Sequence, residues 1–254
     1  MYTSDTDNTI RLIAHEIRNP LTMIYSTLQL IEAAHPEVWF FRHWDTLHED
    51  ILYTIRLLED LSAYHNPEEL HPESVDSSDF LRRIALSFAA SAADSGISFS
   101  SQIPELLPPV YGDSVKLKEA LLNLLTNARE ACEQTIHETG ISTEALTFGH
   151  SAAQLVPEIR MEASLSDPLE DGPSLLCIRI TDHGCGIPDD RLPFIFDPFV
   201  SFKSGGTGLG LPISRRIIEA HGGTMDVISA PGKGTVFTIL LPAASACDRE
   251  SLPE

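Results

Sequence analysis

The 254-residue sequence predicts an α + α/β architecture: an antiparallel helical hairpin that pairs with a second copy as a dimeric four-helix bundle, followed by an α/β sandwich. Three observations predict it. Two N-terminal stretches carry apolar residues at alternating spacings of four and three. From about residue 75, amphipathic helical patterns alternate with strand-like runs. Between the two textures lies HNPEELHPES, a polar, proline-marked linker.

Residues 7–34 carry Ile10, Ala14, Ile17, Leu21, Ile24, Leu28 and Ile31, the spacing of one long helix with a coiled-coil seam. The seam passes through Pro20. Proline inside a helix removes a hydrogen bond and clashes with the carbonyl four residues back, at a cost of about 3 kcal/mol or more. A kink is expected there, not a stop. AAHPEVWF (33–40) breaks the pattern, and Trp44, Leu47, Ile51, Thr54, Leu58 and Leu61 resume it in a second helix. Two such helices bury their seams poorly alone, so a homodimer is expected. The alternative is packing of the hairpin on the second domain.

DSSDFLRRIALSFAASAADSG reads as a helix ending at Gly96, and ISFSSQI alternates like a strand. PELLPPVYGD reads as a loop, and SVKLKEALLNLLTNAREACEQ as a strong amphipathic helix. PEIRMEASL and SLLCIRITD are strand-like; LPISRRIIEAHGG is a helix; TMDVISA and GTVFTILLP are strands joined at PGKG. Consecutive strands among helices predict a mixed sheet with helices on one face. The expected domains are 1–70 and 71–242. Within the second, residues 134–174, rich in Glu, Ser and Pro, read as a partly flexible surface insertion, and 243–254 as a tail.

Composition narrows the function classes. A formal net charge of -20 repels nucleic acid and anionic membranes. None of the four cysteines forms a CxxC pair, which fits a reducing, cytoplasmic setting. No signal-peptide profile opens the chain, and no apolar run is long enough to span a membrane. The ten histidines are scattered, with no metal-binding cluster.

Four ordered motifs carry the chemistry. NLLTNAREA sets Asn123 and Asn127 at i, i+4, on one helix face. DHGCGI puts Asp182, Gly184, Gly186 and Ile187 at the end of a strand. FDPFVSFK (196–203) holds Phe196, Phe199 and Lys203. GGTGLGL (205–211) opens a helix with Gly206, Thr207, Gly208, Leu209 and Gly210. Glycine-rich backbone at a helix N-terminus cradles phosphate, because N–H groups approach closely and the helix dipole favours anions. Each motif alone is ordinary: a glycine cluster is usually a turn, and a helical asparagine is usually solvated.

As an ordered set the four resemble the nucleotide-binding boxes of the GHKL ATPase superfamily, which includes gyrase-type topoisomerases, MutL-type repair ATPases and histidine kinases. The resemblance implies an α/β sandwich of GHKL (Bergerat) type that uses ATP and Mg2+. It implies that Asn127 holds Mg2+ through its amide oxygen and that Asn123 helps with the phosphates. Asp182 is expected to accept a hydrogen bond from the adenine amino group. Gly184 and Gly186, with Ile187, let the backbone close around the base. Phe196 and Phe199 brace the loop over the nucleotide. Gly206, Thr207, Gly208, Leu209 and Gly210 wrap the phosphates, with Lys203 offering positive charge, and Thr235 in GKGT falls near the adenine. The short span from Phe199 to Gly205 implies a short ATP lid.

HEIRNP (15–20) resembles the phosphoacceptor box of two-component histidine kinases, which carry a GHKL domain next in order. The residue chemistry points the same way. His15 follows the seam residue Ala14, so one helical step turns it out of the core to the bundle's flank. The adjacent Glu16 can hold one imidazole proton and so orient the other nitrogen as nucleophile. Asn19, at i+4, cannot act as a base near neutral pH but can orient a water, and the family implies a phosphatase activity on a response regulator's aspartate. His48, in HEDI, lacks the following Asn-Pro and reads as a solvated or dimer-facing histidine. Cys185 reads as loop filler.

Three readings compete: a protein-histidine kinase, an ATP-hydrolysing conformational machine, and a non-catalytic phosphotransfer or scaffold protein. In relatives that hydrolyse ATP, a glutamate usually sits four residues before the Mg2+-binding asparagine; here that position is Asn123. Imidazole needs no such base. The intact boxes oppose a scaffold. The expectation is a kinase that phosphorylates His15 and hands the phosphoryl group to a response regulator receiver domain. Only nine residues precede Ile10, too few for a sensor domain, so a naturally short soluble kinase is expected, or else the catalytic part of something longer.

Overall fold

A computed structural model describes residues 3–64, 70–139, 157–166, 174–203 and 206–243. They form two compact units, one holding the helical hairpin with residues Ile195–Ile213, the other the remainder of the chain from Leu70.

The first unit is built on α1 (Thr3–Ala34) and α2 (Trp44–Tyr64), joined through a short 3-10 turn, Pro36–Phe40. α1 runs through Pro20 as one helix. Heptad logic divides the seam. Ala14 and Leu28 on α1, and Ile51 and Leu58 on α2, are buried within the hairpin. The alternate positions Ile17, Ile24 and Ile31 stay 43%, 48% and 36% exposed. The Arg18 guanidinium ties the helices by donating from Nη2 to the Leu58 carbonyl at 3.4 Å. Near the turn, Trp44 Nε1 donates to Glu32 Oε1 at 3.0 Å, and His48 Nδ1 lies 3.2 Å from the same oxygen. Tyr25 meets the His48 ring edge-on at 5.1 Å. With its side chain only 19% exposed, His48 is not solvated, the first of the two readings of HEDI.

The second unit is a five-stranded sheet covered by helices. Its strands are β2 (Ser98–Gln102), β4 (Glu158–Ser166), β5 (Leu175–Asp182), β7 (Thr235–Pro242) and β6 (Thr224–Ser229), in that spatial order. β2 and β4 run parallel; the other pairs are antiparallel. A parallel pair needs a long crossover, and α4 (Ser114–Thr139) lies within it. α3 (Ser77–Asp94) packs on β2 and α4, and α4 packs on β4 and β5. The core follows period-2 burial: Ile159, Met161 and Ala163 of β4, Leu176, Ile178 and Ile180 of β5, and Phe237, Ile239 and Leu241 of β7 turn inward. Helical residues Leu81, Ile84, Leu117, Leu121, Leu124 and Ile217 are buried with them.

Helix ends obey local chemistry. Asp76 caps α3 by accepting from Asp79 N at 3.0 Å. The far end closes as a Schellman motif: Gly96, with φ at 68°, donates to the Ala93 carbonyl and Ile97 donates to Ala92. α5 (Gly210–Ala220) ends likewise, with Gly222 donating to Glu219 and Gly223 to Ile218. α4 begins at Asp113, whose carboxylate accepts from Val115 N and Lys116 N at 3.0 Å each, and from His71 N at 3.0 Å.

Two short strands depart from expectation. β3 (Val110–Gly112) lies inside the segment read as a loop, and pairs with β1 (Glu73–Val75), which overlaps the end of the segment read as a linker. Three-residue strands are too short to show periodicity. In the interval read as an insertion, 134–174, the end of α4 and all of β4 are found. β4 is the strand expected from PEIRMEASL: Ile159, Met161 and Ala163 alternate with Glu158, Arg160 and Glu162, so that stretch belongs to the sheet and not to a surface insertion. Residues 140–156 and 167–173 of that interval, and 244–254 of the expected tail, lie outside the described residues.

Burial pushes the Asp113 carboxyl up, but the N–H groups of His71, Lys116 and Val115, with His221 nearby, outweigh it and hold the group below the usual carboxylate range. Asp113→Ala is expected to lose about 2 kcal/mol in urea denaturation at neutral pH, the upper end for a lost cap, since the His71 N–H loses its partner too. This stabilisation is complete above the ordinary carboxylate pKa of about 3.9 and fades as pH falls through the lower folded value. The gap between wild type and variant should therefore narrow only in acid.

Candidate active site

α4 turns one face inward and leaves Asn123 and Asn127 half-buried on another, with Ala131 one turn further along the same stripe. Ala131 marks where the loop after β5 arrives: its carbonyl accepts from Cys185 N at 3.3 Å. The asparagines and the DHGCGI loop therefore belong to one neighbourhood of the second unit.

The centre of that neighbourhood is Asp182, the last residue of β5 and only 3% exposed. Its Oδ1 accepts from Gly184 N at 2.9 Å and from Thr235 N at 3.2 Å. Thr235 is its cross-strand partner on β7. One carboxylate oxygen thus pins the strand end, the following loop and the β6–β7 hairpin together.

Two glycines make the close approach feasible. Gly186 has φ at 68°, and a Cβ there would fall 2.0 Å from the Ala230 carbonyl oxygen. Gly234 has φ at 78°, and a Cβ there would fall 1.9 Å from the Asp182 carbonyl oxygen. Only glycine fits both the dihedral and the space. Gly232 N completes the junction by donating to the Cys185 carbonyl at 2.8 Å.

Ser229 is a site residue that the sequence reading missed. Its hydroxyl accepts from Ile187 N at 2.8 Å, donates to the Gly234 carbonyl at 2.9 Å and lies 3.0 Å from Thr235 Oγ1. The available signal was its register opposite Thr235, which only strand pairing reveals. Thr235, expected near the base, is 4% exposed and holds its place through Asp182 and Ser229.

Neither thiol nearby suits chemistry. Burial, and then the Asp182 charge, push the Cys132 thiol up to about 12, so it stays protonated. Cys185 Sγ points to Gln134 Oε1 at 3.5 Å.

The residues fit the group that the motifs imply. A backbone cradle with no room for a Cβ, closed on a buried carboxylate acceptor, suits a flat base bearing an N–H donor. The amide oxygen of Asn127 suits Mg2+, a hard, oxygen-seeking cation that usually keeps few protein ligands and leans on substrate phosphates. Among the described residues no group of three or more His, Cys, Asp or Glu could hold a metal by itself.

The remaining motif residues lie in the first unit. Phe199 has φ at 64°, and its N–H donates to the Gly208 carbonyl at 3.1 Å, closing the glycine loop at its base. Its ring is 58% exposed, so its backbone does the bracing. Phe196 is half-buried and Lys203 exposed. Ser201 Oγ accepts from Lys203 N at 3.2 Å, and Gly206 N donates to the Lys203 carbonyl at 3.4 Å. Leu209 is fully buried and Gly210 opens α5. Thr207 donates its hydroxyl to Asp60 Oδ2 on α2 at 2.6 Å. His15, Glu16 and Asn19 lie on α1, with Glu16 and Asn19 exposed beside the buried Ala14.

Residues 112–245 match the family described as histidine kinase-, DNA gyrase B-, and HSP90-like ATPase. The chain is similar to the signal transduction histidine-protein kinase AtoS of Escherichia coli (strain K12), at 30% identity over 91% of this chain and 34% of the relative. It is 33% identical to the sensory histidine kinase/phosphatase NtrB of Rhodobacter capsulatus, over 92% of this chain and 61% of NtrB. The chain thus spans between about a third and three fifths of the length of these relatives. Among solved structures, full-length ShkA in complex with AMPPNP superposes with a TM-score of 0.69 at 24% identity, over 94% of this chain and 46% of ShkA. The Acinetobacter baumannii histidine kinase AdeS gives 0.55 at 20%, over 91% of this chain and 98% of AdeS. The fold is theirs. No helix among the described residues is long and apolar enough to cross a membrane. Matched through more than half of its length, the chain belongs to the histidine kinase-, DNA gyrase B- and HSP90-like ATPases, on the branch of the two-component sensor histidine kinases.

Proposed function

We propose that this chain is an ATP-dependent protein-histidine kinase that phosphorylates its own His15 and passes the phosphoryl group to an aspartate of a response regulator receiver domain. The observation that carries the reading is Asp182, a buried carboxylate held by two backbone N–H groups at the mouth of a glycine-only cradle. That arrangement recognises a base, and the same chain carries HEIRNP on α1, where Glu16, Ile17, Asn19 and Pro20 are exposed.

The roles follow from residue chemistry. Asp182 accepts the adenine amino N–H. Asn123, Thr207 and Lys203 meet the phosphates. Mg2+, held through Asn127, supplies neutralisation of the charge that develops on the transferring group. Glu16 keeps one proton on the His15 ring, leaving the other nitrogen's lone pair for the γ-phosphorus. As the N–P bond forms, the bond to the ADP leaving oxygen breaks. Asn19, one turn from His15, orients a water for the reverse task, removal of phosphate from the regulator's aspartate. Pro20 offers no N–H to the Glu16 carbonyl, which leaves a backbone acceptor beside the phosphoacceptor and a point at which the helix can bend.

A homodimer is part of the proposal. Ile17, Ile24 and Ile31 recur every seven residues and remain exposed in one hairpin, as the inner stripe of a four-helix bundle does before pairing. A cytoplasmic location fits the sequence: Cys132, Cys177 and Cys185 form no disulfide.

Incubation with γ-labelled ATP and Mg2+ is expected to give acid-labile label on the wild-type chain and none on His15→Gln; label surviving in that variant sinks the assignment of His15. Asp182→Asn is expected to abolish labelling through lost nucleotide binding, and normal ATP affinity in calorimetry would remove the adenine role. Ile17→Glu with Ile24→Glu should convert a dimer to monomers in sedimentation; an unchanged mass would move the bundle interface elsewhere.

A further inference from the structure

The first unit contains a contact that none of these roles uses. Thr207, between Gly206 and Gly208 of the phosphate-wrapping loop, donates its hydroxyl to Asp60 Oδ2 at 2.6 Å, in a part-buried setting. Asp60 lies near the C-terminal end of α2 (Trp44–Tyr64). The residues are 147 positions apart, so no local geometry imposes the bond. The Thr207 oxygen also accepts from Leu209 N at 3.4 Å, which orients it within the loop.

A threonine hydroxyl has one proton to donate. While Asp60 receives it, a phosphate oxygen cannot. A carboxylate and a phosphate offer the same thing to this donor, an anionic oxygen that makes a short, charge-assisted bond. Their charges also repel, so both cannot crowd one hydroxyl without cost. We propose that Asp60 is a positioning residue for the ATP loop: it occupies Thr207 in place of a nucleotide phosphate, so that triphosphate binding must exchange one acceptor for the other.

This deepens the kinase reading and rests on it. The contact makes α2 a party to nucleotide affinity. Withdrawal of Asp60 by any movement of α2 raises affinity for triphosphate, and by linkage the bound triphosphate weakens the loop's hold on α2 to the same degree. The loop is also tied at its base by the bond from Phe199 N to the Gly208 carbonyl.

Calorimetry on the full chain with adenosine and with the Mg2+ complex of a non-hydrolysable ATP analogue tests the exchange. Asp60→Ala is expected to tighten analogue binding about tenfold, the size of one charge-assisted hydrogen bond removed from the competing state, and to leave adenosine affinity unchanged. Asp60→Asn, which keeps an acceptor oxygen and loses the charge, should fall between and guards against a folding defect in the alanine variant. In a Thr207→Val background the Asp60→Ala gain should vanish. Unchanged analogue affinity in both Asp60 variants, or equal changes for analogue and adenosine, overturns the proposal, since a merely structural residue moves both ligands alike. If wild type binds neither ligand, the ATP reading itself falls and this exchange with it; if wild type binds both and the Asp60 variants do not differ, only the exchange falls.

Discussion

The double hydrogen bond to Asp182 Oδ1 is the constraint on which the site depends. A buried carboxylate away from water is costly unless its oxygens are met by donors. Here Gly184 N and Thr235 N meet one of them, and in doing so fasten the loop after β5 to the start of β7. Everything around it follows from how close these backbones must come. Gly234 passes over the Asp182 carbonyl and Gly186 passes under Ala230, each where a Cβ cannot stand. Ser229 then ties the two glycine turns through one hydroxyl. The carboxylate is positioned by strand pairing and backbone N–H groups, so its direction is set before any ligand arrives, and a preformed acceptor gives up little freedom on binding.

The sheet and the helices serve that rigidity. β5 and β7 are central strands with fully alternating burial, and α4 lies against β5 with an almost continuous apolar stripe. The asparagines occupy the part of α4 that this packing leaves only half-covered. Asp113 starts the helix with a carboxylate that satisfies three N–H groups. The face of α4 that carries the asparagines is therefore held at its origin by a cap and along its length by core packing.

The hairpin carries the opposite design. Half of its seam is buried within one chain and half is left in water. Burying apolar surface is the main favourable term in association, and an exposed isoleucine every seventh residue is the observation on which the proposed dimer rests. Its turn is stabilised by a cluster of Glu32, Trp44, His48 and Tyr25. His48, which has the same His-acid dipeptide as HEIRNP, is absorbed by this cluster. His48 is held by a neighbouring carboxylate and by aromatic rings.

Much of this was legible in the sequence because its signals are periodic or chemically narrow. Heptad spacing marked α1 and α2, period-2 alternation marked β5 and β7, and the Asn, Asp and glycine motifs marked the site, since few residue types survive a close backbone approach. β1 and β3 were illegible because a three-residue strand has no period, whereas β4 was legible as PEIRMEASL although it falls in the interval read as an insertion. Ser229 was missed for a different reason: a serine before a turn is unremarkable until register sets it opposite Thr235. By itself the sequence determined the longer elements, the order of the motifs and the residue types at the candidate site. Only the tertiary structure decided which half of the heptad seam is buried, which hydroxyl bridges the two glycine turns, and that Thr207 finds its acceptor on Asp60. Those are contacts between residues far apart in the chain, and no local spacing encodes the partner that folding brings to each.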